Sequence, residues 1–271
     1  MMDFSAINGR GLVMLGCGKM GSAMLAGWLA AGLRPEDVHI VDPYPSDWLA
    51  AQGVSVNGDL PPDPAVAMVA VKPQMMAEAL PTLAPFGGGR TLVLSVAAGT
   101  PISAFEAALG TDTRVIRAMP NTPAAIGKGI TAIIGNGAAT DMDADMAEAL
   151  LSSIGQVVRL QTEDQIDAVT GVSGSGPAYV FYMIDALAAA ARAEGLPDDL
   201  AMQLAKATVA GAGALAEAAD ETPEQLRVNV TSPNGTTQAG LEVLMNAQDG
   251  LSPLMRRTVS AAAARSRELR G

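Results

Sequence analysis

The feature that most constrains the fold is a change of pattern near residue 161. Before that point, short runs rich in Val, Ile, Leu and Ala alternate with longer helical patterns. After it these runs stop, and long segments rich in Ala, Leu and Met take over. Short apolar runs separated by helices are typical of buried strands in a largely parallel sheet. The sequence therefore predicts an α/β domain over residues 1–161 and an all-helical domain over residues 162–271.

The elements of both domains can be placed from the same patterns. Strands are expected at Gly11–Leu15, Val38–Asp42, Val66–Val71, Thr91–Val96, Val115–Met119, Ile130–Ile134 and Val157–Leu160. The first helix is expected at Lys19–Ala31, and the helices of the second domain at Pro177–Glu194, Leu200–Ala219, Gly235–Asn246 and Leu251–Leu269. The acidic run Thr140–Asp145 predicts a solvated helix start.

Charge and cysteine content narrow the class of protein. The chain has 17 Lys and Arg against 28 Asp and Glu, a formal net charge of −11. Nucleic-acid binding needs a surplus of cations, so we expect no nucleic-acid partner. No apolar stretch approaches the roughly 18 residues of a membrane span, and the first ten residues do not resemble a signal peptide. A single cysteine, Cys17, excludes an intrachain disulfide and fits a reducing compartment, so we expect a cytoplasmic location.

Several helices of the second domain are apolar nearly all round, for example Tyr179–Ala191. A helix without a wide polar face must be covered on several sides, and about 110 residues of helix do not make a thick bundle alone. Two covers are open at this point: a second subunit, or the chain's own first domain. The pattern favours the subunit, because an obligate interface resembles a domain core cut in half.

A glycine-rich turn, Gly16–Gly21 (GCGKMG), lies directly after the first predicted strand and opens the first predicted helix. In this context Gly16 permits a tight turn, Gly18 lets the backbone approach a pyrophosphate, and Gly21 lets the helix pack on the strand. Free N–H groups at the helix start, around Lys19 and Met20, attract the phosphates. The alternative is a turn without a ligand. We interpret the turn as the dinucleotide site of a Rossmann-type domain.

Asp42 ends the second predicted strand. An acidic residue there normally accepts from the adenosine ribose 2′-OH and repels a 2′-phosphate, which favours NADH over NADPH. The loop Pro43–Ser46 that follows is unusual, so the direction of the carboxylate stays open, and so does the choice between NADPH and NADH.

Three further turns follow strands in the first domain. They are Ala70–Pro73 (AVKP), Ser95–Gly99 (SVAAG) and Arg117–Pro123 (RAMPNTP). The carboxyl ends of strands line the ligand crevice of an open α/β sheet, so these turns are candidates for a nicotinamide pocket. The residues predicted to contact the cofactor there are Val71, Lys72, Pro73, Ala97 and Asn121.

Two Gly/Ser-rich segments lead into helices of the second domain: VTGVSGSGPAY, ending at Tyr179, and TSPNGTT, ending at Thr237. Together with the first-domain turns, they closely resemble the pyrroline-5-carboxylate reductase family, and the resemblance covers essentially the whole chain. One departure is visible. The family usually has two glycines after the Ser-Pro, and this chain has Asn234 and Gly235, although Asn tolerates the left-handed backbone conformation better than most residues.

The resemblance implies reduction of Δ1-pyrroline-5-carboxylate to proline by NAD(P)H. It also implies a homodimer, or an assembly of dimers, whose helical domains interlock so that each active site uses residues from two subunits. By resemblance, Thr237 presents its hydroxyl to the pyrroline nitrogen and Ser232 helps hold the carboxylate. Backbone N–H groups of Asn234, Gly235 and Thr236 would bind that carboxylate as a helix start binds an anion. The alternative is an ordinary helix cap.

Two alternatives to this function remain open on the sequence. The first is another enzyme of the same architecture, either a hydroxyacid dehydrogenase or a different cyclic-imine reductase. A hydroxyacid dehydrogenase of similar architecture typically uses a lysine in the first long helix of the second domain, and Tyr179–Glu194 contains none. A non-catalytic dinucleotide sensor is the second alternative. Histidine acid–base chemistry is a poor candidate, because the single histidine, His39, lies within the second predicted strand.

Overall fold

The computed structural model describes residues 4–270 and divides by contacts into two compact units. The sheet unit comprises residues 4–174 together with 262–270, and the helical unit is Ser175–Ala261. The predicted boundary at residue 161 lies just after the last strand. By their contacts, however, residues 162–174 and the end of the last helix belong to the sheet unit.

The sheet unit is built on one eight-stranded sheet. Its strands are β1 (Leu12–Leu15), β2 (Val38–Val41), β3 (Ser55–Val56), β4 (Val66–Val69), β5 (Leu92–Ser95), β6 (Arg114–Met119), β7 (Gly129–Gly135) and β8 (Gly155–Arg159). They lie in the order β3-β2-β1-β4-β5-β6-β7-β8. All neighbours are parallel except β6 and β7. The prediction of a Rossmann-type, largely parallel sheet is therefore confirmed.

Every helix that the sequence predicted is present. The helices of the sheet unit are α1 (Lys19–Ala30), α2 (Asp47–Ala50), α3 (Met76–Thr82), α4 (Ile102–Leu109), α5 (Asp141–Leu151) and α6 (Gln165–Val169). Those of the helical unit are α7 (Gly176–Ala193), α8 (Asp198–Ala218), α9 (Pro223–Asn229) and α10 (Thr236–Leu244), and α11 (Leu251–Leu269) begins there and ends in the sheet unit.

Some elements differ from the sequence prediction. The short elements β3, α2, α6 and α9 were not predicted, because two to seven residues are too few for a periodic signal. β7 pairs with β6 in the antiparallel direction. The connection over residues 120–128 is shorter than the dozen or more residues that a crossover between parallel neighbours needs, so the chain turns back along β6.

The sheet unit completes its core within this chain. β1, β4 and β5 are buried at every position, as strands covered on both faces must be. Two clusters of apolar side chains cover the two faces of the sheet. Trp28 of α1 is fully buried in one of them, and its indole N–H donates to the Leu150 carbonyl at 2.7 Å. This hydrogen bond satisfies the one polar group that burial of the ring would leave unpaired.

The start of α5 corrects a prediction. The acidic run Thr140–Asp145 is not uniformly solvated, because Asp143 is 2% exposed. Its carboxylate pairs with the Arg114 guanidinium at 2.6 Å and closes a capping box with Thr140. The prediction missed this because Arg114 is distant in sequence and comes alongside only through β6.

The strand order places a crevice between β1 and β4. From β1 the chain proceeds through β2 to β3 on one side, then returns to place β4 on the other side of β1. Ligands of open α/β sheets bind outside the carboxyl ends of the strands at such a reversal. The glycine-rich turn follows β1 and the turn Ala70–Pro73 follows β4, so both predicted turns meet at this crevice.

The helical unit buries little of its own surface. Within α7–α10, which the structure describes in full, the buried residues are Ala188, Ala201 and Ala205. Large apolar side chains lie exposed instead, among them Phe181 at 60% and Tyr182 at 75%. Many exposed large apolar side chains on one unit are typical of an interaction site.

Over residues 4–270, no helix combines the length and the apolar character needed to cross a lipid bilayer.

Candidate active site

A cavity of about 550 Å³ lies at the carboxyl ends of β1, β2 and β4. The residues that line it are Gly16, Cys17, Gly18, Lys19, Ser22, Asp42, Pro43, Tyr44, Ser46, Trp48, Ala70, Val71, Lys72 and Met75. Six of the predicted cofactor contacts are among them: Gly16, Gly18, Lys19, Asp42, Val71 and Lys72. The cavity has the place and lining that a dinucleotide site in this fold requires.

The three glycines of the turn fit a dinucleotide, each for a different reason. Gly16 has a φ of 82°, and a Cβ atom there would lie 2.9 Å from the Ala70 carbonyl oxygen. A Cβ atom at Gly21 would lie 2.9 Å from the Gly16 carbonyl oxygen, so only glycine lets α1 pack this close. A Cβ atom at Gly18 would meet no protein atom within 4 Å, although Gly18 lines the cavity. The open space at Gly18 is where a pyrophosphate would approach the backbone.

The start of α1 can bind an anion. Gly18 is the N-cap residue and offers no side-chain acceptor to the first amides of the helix. Those N–H groups, together with the positive end of the helix dipole, attract phosphate. Lys19 and Lys72, both exposed, add cationic side chains to the cavity wall.

Asp42 turns its carboxylate toward the glycine-rich turn. One oxygen accepts from the Cys17 backbone N–H at 2.6 Å, and the other accepts from the Tyr44 backbone N–H at 2.8 Å. The direction of this carboxylate, which the sequence left open, is therefore toward the glycine-rich turn, and Asp42 lines the cavity beside that turn.

Five predicted cofactor residues do not line the cavity. Met20 packs against the core, Gly21 and Ala97 are buried, and Pro73 begins the exposed turn Pro73–Met75. Asn121 uses both ends of its amide in the protein: its oxygen accepts from the Ile130 N–H at 3.0 Å, and its NH₂ donates to the Ser173 carbonyl at 3.1 Å. A direct role of these five in cofactor binding stays a prediction.

Sequence reasoning missed the aromatic part of the cavity. Tyr44, in the loop after β2, and Trp48, in α2, line it and are 85% and 39% exposed. The signal that could have found them is the position of this loop beside Asp42. Cys17 of the glycine-rich turn also lines the cavity; its side chain is buried, and burial raises the pKa of the thiol above its ordinary value. His39 is a member of β2, as predicted, and does not line the cavity.

The helical unit holds the second predicted site, the loop before α10. Asn234 has a φ of 57°, the left-handed conformation that Asn tolerates, so the turn survives without the usual glycine. Ser232, Thr236 and Thr237 are exposed. The N-cap residue is Gly235, and no side chain caps the helix. In this protomer, therefore, the Thr237 hydroxyl does not act as an ordinary cap.

The backbone amides of this loop are not equally available. The Asn234 N–H donates to the Gln238 side-chain oxygen at 2.8 Å, and the Gly235 N–H donates to the Ser232 carbonyl at 3.0 Å. The N–H groups of Thr236 and Thr237, at the start of α10, donate to no acceptor among the described residues. Of the amides predicted to bind a carboxylate, Thr236 is thus the one that is ready to donate.

A glycine-rich turn at the strand reversal of a parallel sheet, followed by a helical domain, defines the class of nicotinamide-dependent oxidoreductases with a Rossmann-type domain. Two family models match this chain. Residues 12–99 match a model described as NADP oxidoreductase coenzyme F420-dependent, and residues 163–269 match one described as pyrroline-5-carboxylate reductase dimerisation.

Individual proteins agree over nearly the whole chain. A pyrroline-5-carboxylate reductase of Pseudomonas aeruginosa is 35% identical over 264 residues, 95% of this chain and 96% of that protein. The solved structure of a pyrroline-5-carboxylate reductase from Coxiella burnetii has a TM-score of 0.91 at 31% identity, covering 97% of this chain and all of that one. A Plasmodium falciparum pyrroline carboxylate reductase, solved with NADP bound, has a TM-score of 0.81 at 26% identity, covering 97% and 99% of the two chains. The chain belongs to the pyrroline-5-carboxylate reductase family, and the predicted resemblance is confirmed.

Proposed function

We propose that this protein reduces Δ1-pyrroline-5-carboxylate to L-proline with NADPH or NADH as the hydride donor, the last step of proline biosynthesis. The observation that carries the proposal is the agreement over 95% of the chain with relatives named for this reaction. The cavity at the strand reversal supports it, because its glycines leave room for a pyrophosphate at Gly18.

In this proposal the sheet unit holds the cofactor. The amides at the start of α1 and the side chain of Lys19 bind the pyrophosphate, and Asp42 lies at the ribose end of the cavity. When bound, the reduced nicotinamide supplies hydride to the ring carbon of the imine. The protein contributes position and electrostatics.

The helical unit holds the substrate. The free amides of Thr236 and Thr237 bind the carboxylate, helped by the Ser232 hydroxyl, because a helix start attracts anions. The amides of Asn234 and Gly235 contribute only after giving up their present partners, Gln238 and Ser232. The Thr237 hydroxyl lies at the pyrroline nitrogen and donates to it as the nitrogen gains negative character, which lowers the barrier to hydride transfer.

We further propose that the functional unit is a homodimer, or an assembly of dimers, formed by the helical unit. The match of residues 163–269 to a dimerisation family supports this, and so do the exposed apolar side chains of α7. A partner copy that covers Phe181 and Tyr182 would remove from water the large side chains that this unit cannot bury alone.

A cytoplasmic location and the absence of a nucleic-acid partner stay predictions. The first rests on the single cysteine, and the second rests on the net charge of −11.

The test of the proposed function is consumption of NADH and of NADPH with Δ1-pyrroline-5-carboxylate, with proline identified as the product. A panel of other cyclic imines and of 3-hydroxy acids serves as the control for a different reductase or a hydroxyacid dehydrogenase. Turnover of a 3-hydroxy acid in place of the imine would contradict the proposal. Tight binding of both cofactors without turnover of any substrate would favour the sensor.

A further inference from the structure

Asp42 is held from both sides at the end of β2. The Asn57 side chain clamps its backbone: the amide oxygen accepts from the Asp42 N–H at 2.9 Å, and the amide NH₂ donates to the Asp42 carbonyl at 2.8 Å. Asn57 has a φ of 53°, a conformation that Asn tolerates, and its own N–H is fixed on the Ile40 carbonyl at 2.8 Å. Since the Asp42 carboxylate also accepts two backbone N–H groups, both its main chain and its side chain are fixed before any ligand binds.

A fixed carboxylate at this place can still accept from a ribose. Each oxygen accepts one N–H from the protein, and each carries a second acceptor site that is available to a hydroxyl group. A 2′-phosphate in the same place would bring about two negative charges against the carboxylate. This repulsion weakens binding of the phosphorylated cofactor, and the loss of affinity is larger when the two groups lie closer together.

The segment after Asp42 offers a 2′-phosphate no compensating cation. Residues 43–51 contain no Lys or Arg and add a second acid, Asp47. Two lysines line the cavity. Lys19 lies at the start of α1, where the proposed function assigns it to the pyrophosphate. Lys72 follows β4, which is two strands, or about 10 Å, from β2, and screening by salt is already substantial at that distance.

We propose that Asp42, fixed in place by Asn57, excludes a 2′-phosphate, so that this protein uses NADH in preference to NADPH. Asp42 is the specificity-determining residue, and Asn57 is a positioning residue that acts through it. The inference rests on the proposed function only in so far as the cavity binds a nicotinamide dinucleotide. NADP in the Plasmodium falciparum structure is a property of that protein.

The test uses two probes that differ only in the 2′-phosphate: adenosine 5′-monophosphate and adenosine 2′,5′-bisphosphate. Their affinities are measured by calorimetry near pH 8, where the 2′-phosphate carries about two charges, and the NADH to NADPH ratio of kcat/KM is measured in parallel. We expect the wild type to bind the monophosphate at least about tenfold more tightly. Asp42→Asn should reduce that preference to about twofold or reverse it. Asn57→Gly keeps the positive φ and removes only the clamp, and it should reduce the preference by about threefold.

Asp112→Asn is the matched control. It removes an exposed carboxylate in the turn before β6, at the opposite end of the strands, and should leave the preference unchanged. Asp42 and Asn57 variants that weaken both probes equally would overturn the proposal, because a merely structural role predicts that result. Wild-type protein that binds the bisphosphate as tightly as the monophosphate would overturn it too, even if imine reduction is confirmed. Discrimination between the probes in a protein that does not reduce the imine would support it while contradicting the proposed function.

Discussion

The sheet unit buries its apolar side chains, whereas the helical unit leaves most of its large ones exposed. In the sheet unit, β1, β4 and β5 are buried at every position, and two apolar clusters cover the sheet. In the helical unit, the buried residues of α7–α10 are three alanines, and most of the exposed large apolar side chains of the described residues fall there. One unit completes its core within a single chain, and the other leaves its large apolar side chains exposed.

The difference follows from composition as much as from topology. The chain has 4 Phe, 3 Tyr and 2 Trp, and the long helices are rich in alanine. Alanine lets helices approach closely but buries little area per residue, and buried apolar area is what stabilises a fold. The helical unit therefore depends on apolar area from a partner, whereas the sheet unit gains its own through β-branched and aliphatic side chains.

The largest expected effect comes from a charge on the exposed face of α7. Phe181→Asp places a carboxylate in the proposed interface, and an unpaired buried charge costs about 3–5 kcal/mol. We expect the protein to be monomeric at micromolar concentration and to lose imine reduction, while NADH affinity changes by less than about threefold. Sedimentation velocity measures the assembly state, NADH consumption with the imine measures the activity, and fluorescence titration measures the NADH affinity.

The matched control is Met142→Asp, on α5 of the sheet unit. Met142 is 77% exposed, more than Phe181 at 60%, so exposure alone predicts a similar effect for both. We expect Met142→Asp to leave the assembly and the activity unchanged. An active dimer with Asp at position 181 would show that α7 is not the interface.

The second expected effect is a loss of cofactor affinity, and it is confined to the sheet unit. Gly18→Val fills the open space beside the cavity, and we expect cofactor affinity to fall by at least about a hundredfold with little change in Tm. Gly21→Val is the variant for comparison. It should lower the stability of the protein, because a Cβ atom there would lie 2.9 Å from the Gly16 carbonyl oxygen. Overpacking of this kind costs about 1–3 kcal/mol of stability. NADH titration and thermal melts distinguish the variants, and normal NADH affinity in Gly18→Val would remove the turn from the site.

Much of the sheet unit could be predicted because its signals are local. A short apolar run indicates each of the longer strands. The spacing of Gly16, Gly18 and Gly21 indicates a phosphate-binding turn. What could not be predicted depends on residues that meet only in three dimensions. Two examples are the Arg114–Asp143 pair and the hydrogen bonds by which Asn57 holds Asp42.

The substrate loop shows a different limit. Motif resemblance identified Ser232–Thr237, and the predicted helix start lies within one residue of its observed place. The sequence did not indicate which amides are already engaged. Gln238 lies one helical turn from Asn234 and satisfies its N–H, a choice that depends on the rotamer of one side chain.

A third, smaller effect concerns Thr237. Because no side chain caps α10, Thr237→Ala should change the free energy of unfolding by less than about 0.5 kcal/mol. If its hydroxyl assists proton transfer to the pyrroline nitrogen, kcat should fall on the order of 100-fold at unchanged cofactor affinity. Thr140→Ala is the control, since Thr140 does cap α5 in the sheet unit. That variant should lose about 1 kcal/mol of stability and keep its kcat. Near-normal kcat in Thr237→Ala would contradict the assignment.

The last substitution, Asp143→Asn, tests whether the stability of the sheet unit is independent of assembly. Asp143→Asn keeps the shape of the side chain but leaves the Arg114 guanidinium, 26% exposed, without its ionic partner. It also weakens the capping box of α5. We expect a loss of about 2–3 kcal/mol, below the full cost of breaking a buried pair because Arg114 is partly solvated. Asp145→Asn, on the same helix, breaks an exposed pair with Arg159 and should cost less than about 1 kcal/mol.

The dependence of stability on protein concentration shows whether the sheet unit is stable independently of assembly. Binding of a partner stabilises only the part that it covers, and the apparent stability of that part rises with concentration. The loss caused by Asp143→Asn should therefore be the same at low and high protein concentration, measured by urea unfolding with hydrogen exchange to separate the amides of α5 from those of α7. The amides of α7 should become better protected as concentration rises, in wild type and variant alike. If the protection of α5 rises by the same amount, the two units unfold as one body, and the sheet unit is not complete within a single chain.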